Sequence, residues 1–434
     1  MLRFERLRVG GWRQFSQVEI AFHPQLTVIT GANGAGKSTI LNILIQHFGL
    51  QRSMHGVPTL MKGERGFLSN VFNVVSKLTR WLQPQVSEDQ TVIGSIGYSN
   101  EAATQIQVPT RGQQSYNVNF PQSQPVVGFH MPSHRALPNY QEVTNVPLGG
   151  IRPEEAFGRL YPEYIAIFSG SHAGRSVLFK LKELLSAWVS FGPGNDLLEG
   201  NVKQQEAFDG FSRILKEVFP PDLGFESLSV VPPDVVVKTK TGDFMIDSLS
   251  GGLLSLLEMA ALIYARTLQP DAADGFIVTI DEPENHLHPA MQRGVLPALM
   301  RAFPRVQFIV ATHSPFIVTS APDAAVYALR YDEVEILAAI PGQPLGAGSG
   351  RRVTCTKLDL MSLSSSTADI LRDVLGLDFT YPVWVERKLD EIIEKYRPRD
   401  FTKETIDEFR EELLAAGLAD AFPSALVTLG RAHD

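Results

Sequence analysis

The chain has one cysteine, Cys355, in 434 residues. A single thiol excludes an internal disulfide framework and a cysteine zinc site. No apolar run reaches the roughly 18 residues of a membrane-spanning helix, so no membrane association is expected. The opening residues, Met-Leu-Arg-Phe-Glu-Arg, lack the apolar core of a secretion signal, and a cytoplasmic protein is the expectation. Basic charge is not in excess. Lys and Arg number 39 against 47 Asp and Glu, a net charge of −8 at pH 7, so the chain as a whole has no electrostatic footprint for nucleic acid, although a local basic groove stays open. Apolar positions do not repeat in sustained heptads, which excludes a long coiled coil, and no internal repeat is visible.

What is present is an ordinary globular composition, 44% hydrophobic and 20% charged, in a chain long enough for roughly two or three structural units. Short strands are predicted at Leu2–Val9, Val18–Phe22 and Leu26–Thr30. Val18, Ile20 and Phe22 alternate with polar residues, as in a half-buried strand. The third strand runs into a glycine-rich loop, and a helix follows over Ser38–Phe48 with Ile40, Leu41, Leu44 and Phe48 inward. In the insertion that follows, Phe67–Leu82 reads as a helix. Thr91–Tyr98, Thr104–Val108, Ser115–Phe120 and Val126–Met131 read as antiparallel strands, Pro132–Pro153 as loop, Glu154–Phe191 and Lys203–Val218 as helices, and 224–248 as strand. Leu253–Thr267 is an apolar helix. Phe276–Ile280 and Gln307–Ala311 are continuous apolar strands of the kind buried in parallel sheets. Strands at Ala325–Leu329 and Glu333–Ala339 and a loop at Pro341–Gly350 precede helices at Thr367–Leu375, Trp384–Tyr396 and Thr402–Ala416. The last has Ile406, Phe409 and Leu413 on one face, Thr402 as N-cap and Gly417 as stop.

Four short motifs carry chemistry. Gly31-Ala-Asn33-Gly34-Ala-Gly36-Lys37-Ser38-Thr39 fits the phosphate-loop pattern in full and stands where it must, after a strand and opening a helix. Its glycines let backbone N–H groups turn toward phosphates, and the helix N-terminus adds positive potential. Lys37 would reach the β- and γ-phosphates, and Ser38 would ligate Mg²⁺. Asp281-Glu282 ends an apolar strand, His313 follows the next one within Ala311-Thr-His313-Ser-Pro315, and Leu249-Ser250-Gly251-Gly252 opens a helix. His286 and His288 form a His-Leu-His pair. They lack third and fourth ligands at metal-site spacing, so no metal site is expected there.

In this order the motifs resemble the AAA-family ATPases of the ABC superfamily, in the branch that holds the SMC, RecF and OLD proteins. Asp-Glu-Pro-Glu-Asn-His-Leu-His-Pro at 281–289 and Ala-Thr-His-Ser-Pro at 311–315 resemble the stand-alone prokaryotic members. The likeness covers about 1–48 and 224–335. It implies an α/β fold, an ABC-type P-loop ATPase head with a mixed, partly parallel sheet and an antiparallel β lobe. The core would be 1–48 and 224–340. The insertion at 49–223 would hold antiparallel strands at about 91–131 and a helical lid at about 154–218, and a helical C-terminal region would follow at 351–434.

The resemblance also implies roles. ATP and Mg²⁺ are the cofactors. Asp281 holds Mg²⁺ through water, Glu282 orients or deprotonates the attacking water, and His313 contacts the γ-phosphate. Ser250, Gly251 and Gly252 cap the γ-phosphate held by a second copy of the chain, and 284–289 lies along that interface. Arg13, in Gly-Trp-Arg-Gln-Phe, matches an element whose arginine approaches nucleotide. Leu253 departs from the Gln or Glu often found after the Ser-Gly-Gly. No glutamine can be assigned to the loop that senses Mg²⁺; its expected place is Val126–Met131 with Pro132-Ser-His134-Arg135, where His134 and Arg135 face the nucleotide or serve as plain loop.

The chain has no room for the long coiled coils of SMC proteins, and neither the TOPRIM acid pattern of OLD nucleases nor a His-Asn-His nuclease motif is found. The remaining likeness is to stand-alone ATPase subunits of antiphage systems such as PARIS and Septu. It implies a homodimer or higher homo-oligomer joined through the ATP sites, a separate effector such as a TOPRIM or HNH nuclease, and a DNA or phage-protein trigger. The alternatives are a RecF-like DNA-repair ATPase that binds DNA directly, a transporter ATPase subunit, and a slow-turnover ATP-dependent scaffold.

Overall fold

The computed structural model of the chain describes residues 1–55, 57–61, 64–68, 90–110, 114–133, 140–168, 176–194, 196, 199–335, 349–358, 383–397, 402–422, 425–426 and 429. The chain divides into two compact units, Met1–Ile370 and Leu371–Asp434.

In the first unit β1 (Phe4–Trp12) and β2 (Phe15–Ala21) form a hairpin whose alternating Leu7, Val9, Val18 and Ile20 face the core. β3 (Leu26–Gly31) is buried at every position and leads through the glycine-rich loop into α1 (Lys37–Leu44) and a 3₁₀ turn (Ile45–Phe48). β4 (Met54–His55) and the hairpin of β5 (Val57–Met61) with β6 (Glu64–Leu68) follow. The helix expected at Phe67–Leu82 therefore begins as strand, and 69–82 lies outside the described residues. β7 (Gln90–Tyr98) and β8 (Ala103–Pro109) pair antiparallel as expected, whereas β9 (Ser115–Tyr116) is short and pairs with β4.

β10 (Gly128–Met131) corrects the expectation of an antiparallel strand. It runs parallel to β14 (Phe276–Asp281) at the end of the main sheet. Phe129, His130 and Met131 are consecutively buried, which suits a covered parallel strand and not an alternating one. The helices α2 (Ala156–Phe168), α3 (Val177–Phe191) and α4 (Val202–Val218) and the three-stranded sheet of β11 (Phe225–Val231), β12 (Asp234–Thr239) and β13 (Gly242–Met245) follow. Ser176 and Asn201 cap α3 and α4 by accepting the N–H groups of Phe179 and Gln204. Then come α5 (Gly251–Thr267), whose residues are almost all buried, α6 (Pro289–Ala302), β15 (Val306–Ala311), α7 (Pro315–Val318), β16 (Ala325–Glu335) and β17 (Ser349–Leu358).

The ten-stranded sheet has the order β10-β14-β15-β3-β16-β17-β2-β1-β7-β8. Its first five strands are mutually parallel; β16 pairs antiparallel with β17, and β2, β1, β7 and β8 form an antiparallel run. β17 was not foreseen. The sheet therefore continues to Leu358, past the position 351 where a helical region was expected, and of the expected loop 341–350 the last two residues are strand. Expected strands at Ala325–Leu329 and Glu333–Ala339 are one strand to Glu335.

In the second unit, helices Val383–Tyr396 and Lys403–Ala415 enclose their own core around Leu389, Ile393, Phe409 and Leu413. Thr402 caps the second helix through the N–H of Thr405, and Gly417 ends it at φ 75°. The helix expected at 367–375 lies outside the described residues.

Candidate functional site

β14, β15 and β3 are neighbours in the sheet and run the same way, so their carboxyl ends open on one side. Open parallel sheets bind ligands at that edge. β3 delivers the glycine-rich loop, β14 delivers Asp281 and Glu282, and β15 delivers Thr312, His313 and Ser314. β10, on the other side of β14, leads to Ser133.

The loop turns tightly at Gly36, whose φ is 99°. A Cβ there would lie 2.5 Å from both Gln14 Nε2 and Phe15 Cζ, so the position is closed to any side chain. Lys37 folds back beneath the loop. Its ammonium donates to the carbonyls of Gly31 and Ala32 at 2.9 and 3.2 Å and lies 3.2 Å from His313 Nδ1. Burial pushes its pKa down to about 8, against the opposing pull of Asp281, Glu282 and Glu284. An ammonium has only donors, so the contact makes Nδ1 of His313 the acceptor and puts the imidazole proton on Nε2. Burial and the Lys37 charge both depress the His313 pKa, which agrees with a neutral ring.

Ser38 Oγ donates to Asp281 Oδ2 at 2.9 Å. The Asp281 carboxyl is pushed up to about 6, first by burial, with Glu282 and Glu284 adding to the rise and Ser38 and Lys37 opposing it. Glu282 adopts a left-handed backbone at φ 51°, a conformation uncommon outside glycine and frequent at functional sites. Its N–H donates to Ala311 O at 2.8 Å, and its Oε1 lies 3.6 Å from His313 Nε2. Lys37, Ser38, Asp281, Glu282 and His313 thus form one cluster. Asn33 and Gly34 lie exposed at the loop tip, and Thr39 is half-buried beside Ser38.

Two residues not foreseen hold this cluster in shape. Glu284 Oε1 accepts from Thr312 Oγ1, the His313 N–H and the Ser314 N–H at 2.7, 2.8 and 3.1 Å, which ties the turn after β14 to the turn after β15. Asn285 Nδ2 donates to Glu282 Oε2 at 3.0 Å and to Ser133 O at 2.9 Å. Both stand in the 281–289 motif, expected to lie along an interface between chains; nothing in the sequence signalled this bonding role. Ser314 Oγ caps α7 and donates to Gln292 at 2.6 Å.

Ser250, Gly251 and Gly252 stand elsewhere. Ser250 is the N-cap of α5, accepting the Leu253 N–H at 3.5 Å, and the two glycines form its first turn. A Cβ on Gly252 would lie 3.0 Å from His286 O and 3.3 Å from Met291 Sδ, so the missing side chain is what lets the turn rest on the segment after Glu282. Among the described residues no hydrogen bond joins these three to Lys37, Ser38, Asp281, Glu282 or His313. His288 caps α6 by accepting the Ala290 N–H at 3.3 Å.

The contacts of the Arg13 side chain are with Met54, His55 and Trp12. Its guanidinium donates to His55 O at 2.8 Å and stacks over Trp12, while neighbouring Gln14 reaches Gly34 O at 3.4 Å. His134 and Arg135 lie outside the described residues.

A family model described as "AAA domain, putative AbiEii toxin, Type IV TA system" matches residues 94–319, and another described as "AAA domain" matches residues 6–50. The retron Ec83 probable ATPase of Escherichia coli is 34% identical over 115 residues, 25% of this chain and 21% of the relative. The retron Vc95 probable ATPase of Vibrio cholerae is 27% identical over 179 residues, 39% of this chain and 34% of the relative. The match thus spans about a fifth and a third of the two retron proteins. Septu protein PtuA of Bacillus thuringiensis is 22% identical over 410 residues, 89% of this chain and 87% of the relative. An SMC head domain from Thermotoga maritima aligns over 82% of this chain and 99% of its own at 14% identity and a TM-score of 0.41. Since the first family model covers just over half of its length, the chain belongs to the AAA-domain family and is an ATPase of that type.

Proposed function

We propose that this ATPase is an oligomeric switch: two chains close head-to-tail on two ATPs, and closing and opening hold or release a separate effector. The observation that carries the reading is the separation of the motifs within one chain. Lys37, Ser38, Asp281, Glu282 and His313 converge, whereas Ser250–Gly252 cap another helix with no bond to them. A helix N-terminus is an anion-binding element, so this turn is suited to a phosphate that its own chain does not hold. In such a pair each ATP lies between one chain's loop and its partner's turn.

Within one site, the ammonium of Lys37 would turn from the Gly31 and Ala32 carbonyls to the β- and γ-phosphate oxygens. Glu282, steadied by Asn285, would accept a proton from the attacking water or orient it. His313 would offer its Nε2 proton to the γ-phosphate. The Ser38 hydroxyl and the Asp281 carboxylate converge at 2.9 Å as two hard oxygen donors, and Glu282 and Glu284 add negative charge beside them; this fits Mg²⁺. When bound, Mg²⁺ would neutralise charge on the β- and γ-phosphates. Ser250, Gly251 and Gly252 of the partner would complete the site.

Retron and Septu are antiphage systems. The length of the PtuA match speaks for an ATPase subunit of such a defence complex, responding to a DNA or phage-protein trigger and governing an effector nuclease. Glu282→Gln tests the catalytic half of the proposal. It should bind ATP, lose hydrolysis by about a hundredfold or more as general-base variants do, and accumulate as a two-chain, two-ATP assembly by native mass spectrometry. Hydrolysis at the unmodified rate would sink the assignment.

A further inference from the structure

We infer that Lys182 is a positioning residue for the Ser250–Gly252 turn. It anchors the segment before that turn to the helical insertion, an inference that rests on the turn serving the partner's ATP. Lys182 is on α3, and its side chain is 0% exposed. Its ammonium donates to Asp247 Oδ2 at 2.7 Å, Gln141 O at 2.8 Å and Asp234 Oδ1 at 3.2 Å, so each of its three hydrogens has an acceptor. The Tyr140 ring lies 4.8 Å away, and its hydroxyl donates to Asp234 Oδ2 at 3.3 Å.

Packing does not require charge at this place. Well-packed apolar residues in a buried ion-pair site are often neutral or stabilising, so the ion pairs contribute direction more than stability. The direction they set is that of Asp247. It lies in the 3₁₀ turn Ile246–Ser248, directly ahead of Leu249 and the N-cap Ser250. Ile246 is fully buried, so the turn is held by packing on one side and by Lys182 on the other. The helix start also rests, at Gly252, on His286 O and Met291. α2, α3 and α4 all pack on α5. The helical insertion and the turn are therefore tied together by packing and by the ammonium of Lys182.

Complementation between inactive chains separates this role from a general structural one. In Lys182→Met the defect should lie in the turn offered to a partner, with the chain's own loop intact. Lys37→Ala has the reverse defect. Lys182→Met alone should fold with a cooperative melt, bind ATP, and lose turnover by at least about tenfold, the effect of a 1.4 kcal/mol loss in site assembly. A one-to-one mixture with Lys37→Ala should recover about a quarter of the unmodified per-chain rate, since half of randomly formed pairs contain one complete site. A Lys182 that only stabilised its own chain would give no recovery. The companion mixture, Ser250→Arg with Lys37→Ala, separates the two ideas. If it recovers and the Lys182→Met mixture does not, the Lys182 inference is overturned and the shared site stands; if neither recovers, the shared site falls and the inference with it. Should Lys182→Met fail to fold, Asp247→Asn replaces it, because Lys182 then keeps Asp234. Full turnover in Asp247→Asn, or loss of turnover that Lys37→Ala does not rescue, overturns the inference.

Discussion

Burial sets the chemistry of Asp281 before any ligand arrives. Its carboxyl, pushed up to about 6, is half-protonated near that pH, with Ser38 as its neighbour. The folded chain holds this proton more tightly than an unfolded one, so the group's contribution to stability is present at low pH and is lost as pH rises through about 6. The carboxylate must lose the proton to hold a cation. Mg²⁺-dependent ATP binding is therefore expected to weaken as pH falls below about 6, by up to about tenfold per pH unit, and Asp281→Asn should remove that excess slope. Binding titrations with a fluorescent ATP analogue across this range check it; equal slopes for the two chains contradict it. Glu284 offers a second test. Glu284→Ala strands the Thr312 hydroxyl and the His313 N–H, whereas the Ser314 N–H keeps Thr312 Oγ1 at 2.9 Å; the cost is about 1.5–3 kcal/mol for a lost bond to a charged group, while Glu284→Gln keeps an acceptor oxygen and should melt nearer to the unmodified chain. Indistinguishable melts for Ala and the unmodified chain would remove Glu284 from the site's support. Lys37, Ser38, Asp281, Glu282 and His313 were readable because each sits in a motif at a strand end. Glu284 and Asn285 were not, because their partners, Thr312 to Ser314 and Ser133, are brought to them only by the pairing of β10, β14 and β15.

Among elements, the continuous apolar runs of β3, β14 and β15 were legible because a strand covered on both faces needs no polar alternation. β10 was misread by the same physics: a four-residue apolar strand carries no mark of its direction, which pairing with β14 decides. β17 was hidden by polar residues such as Arg351, Arg352, Thr354 and Lys357 and by the glycines before it, and it becomes a strand by lying between β16 and β2. The turn from β3 to α1 gives a test on this scale. Gly36→Ala must place a methyl group against Gln14 and the fully buried Phe15 in a left-handed backbone, at a cost of order 1–3 kcal/mol for the conformation alone. ATP binding should be lost with the far strands intact. A Gly36→Ala chain that binds ATP normally would show that the loop does not need this turn.

Across the whole molecule, the mixed sheet does two jobs. Its parallel half presents the carboxyl ends of β14, β15 and β3, and its antiparallel half buries Trp12, Phe15 and Tyr98 beneath β1, β2 and β7. Among the described residues no helix is long and apolar enough to cross a membrane. The second unit, with its own core of Leu389, Phe409 and Leu413, is the part we propose for oligomer or effector contact. The arrangement we propose divides the ATP site between chains, with Lys37 on one side and Ser250 on the other. The most direct measurement is the ATPase rate of Lys37→Ala and Ser250→Arg, each alone and mixed. Each alone should be inactive, and the mixture should regain about a quarter of the unmodified rate, because random pairing yields one complete site in every second pair. A mixture as inactive as its components would contradict the shared site.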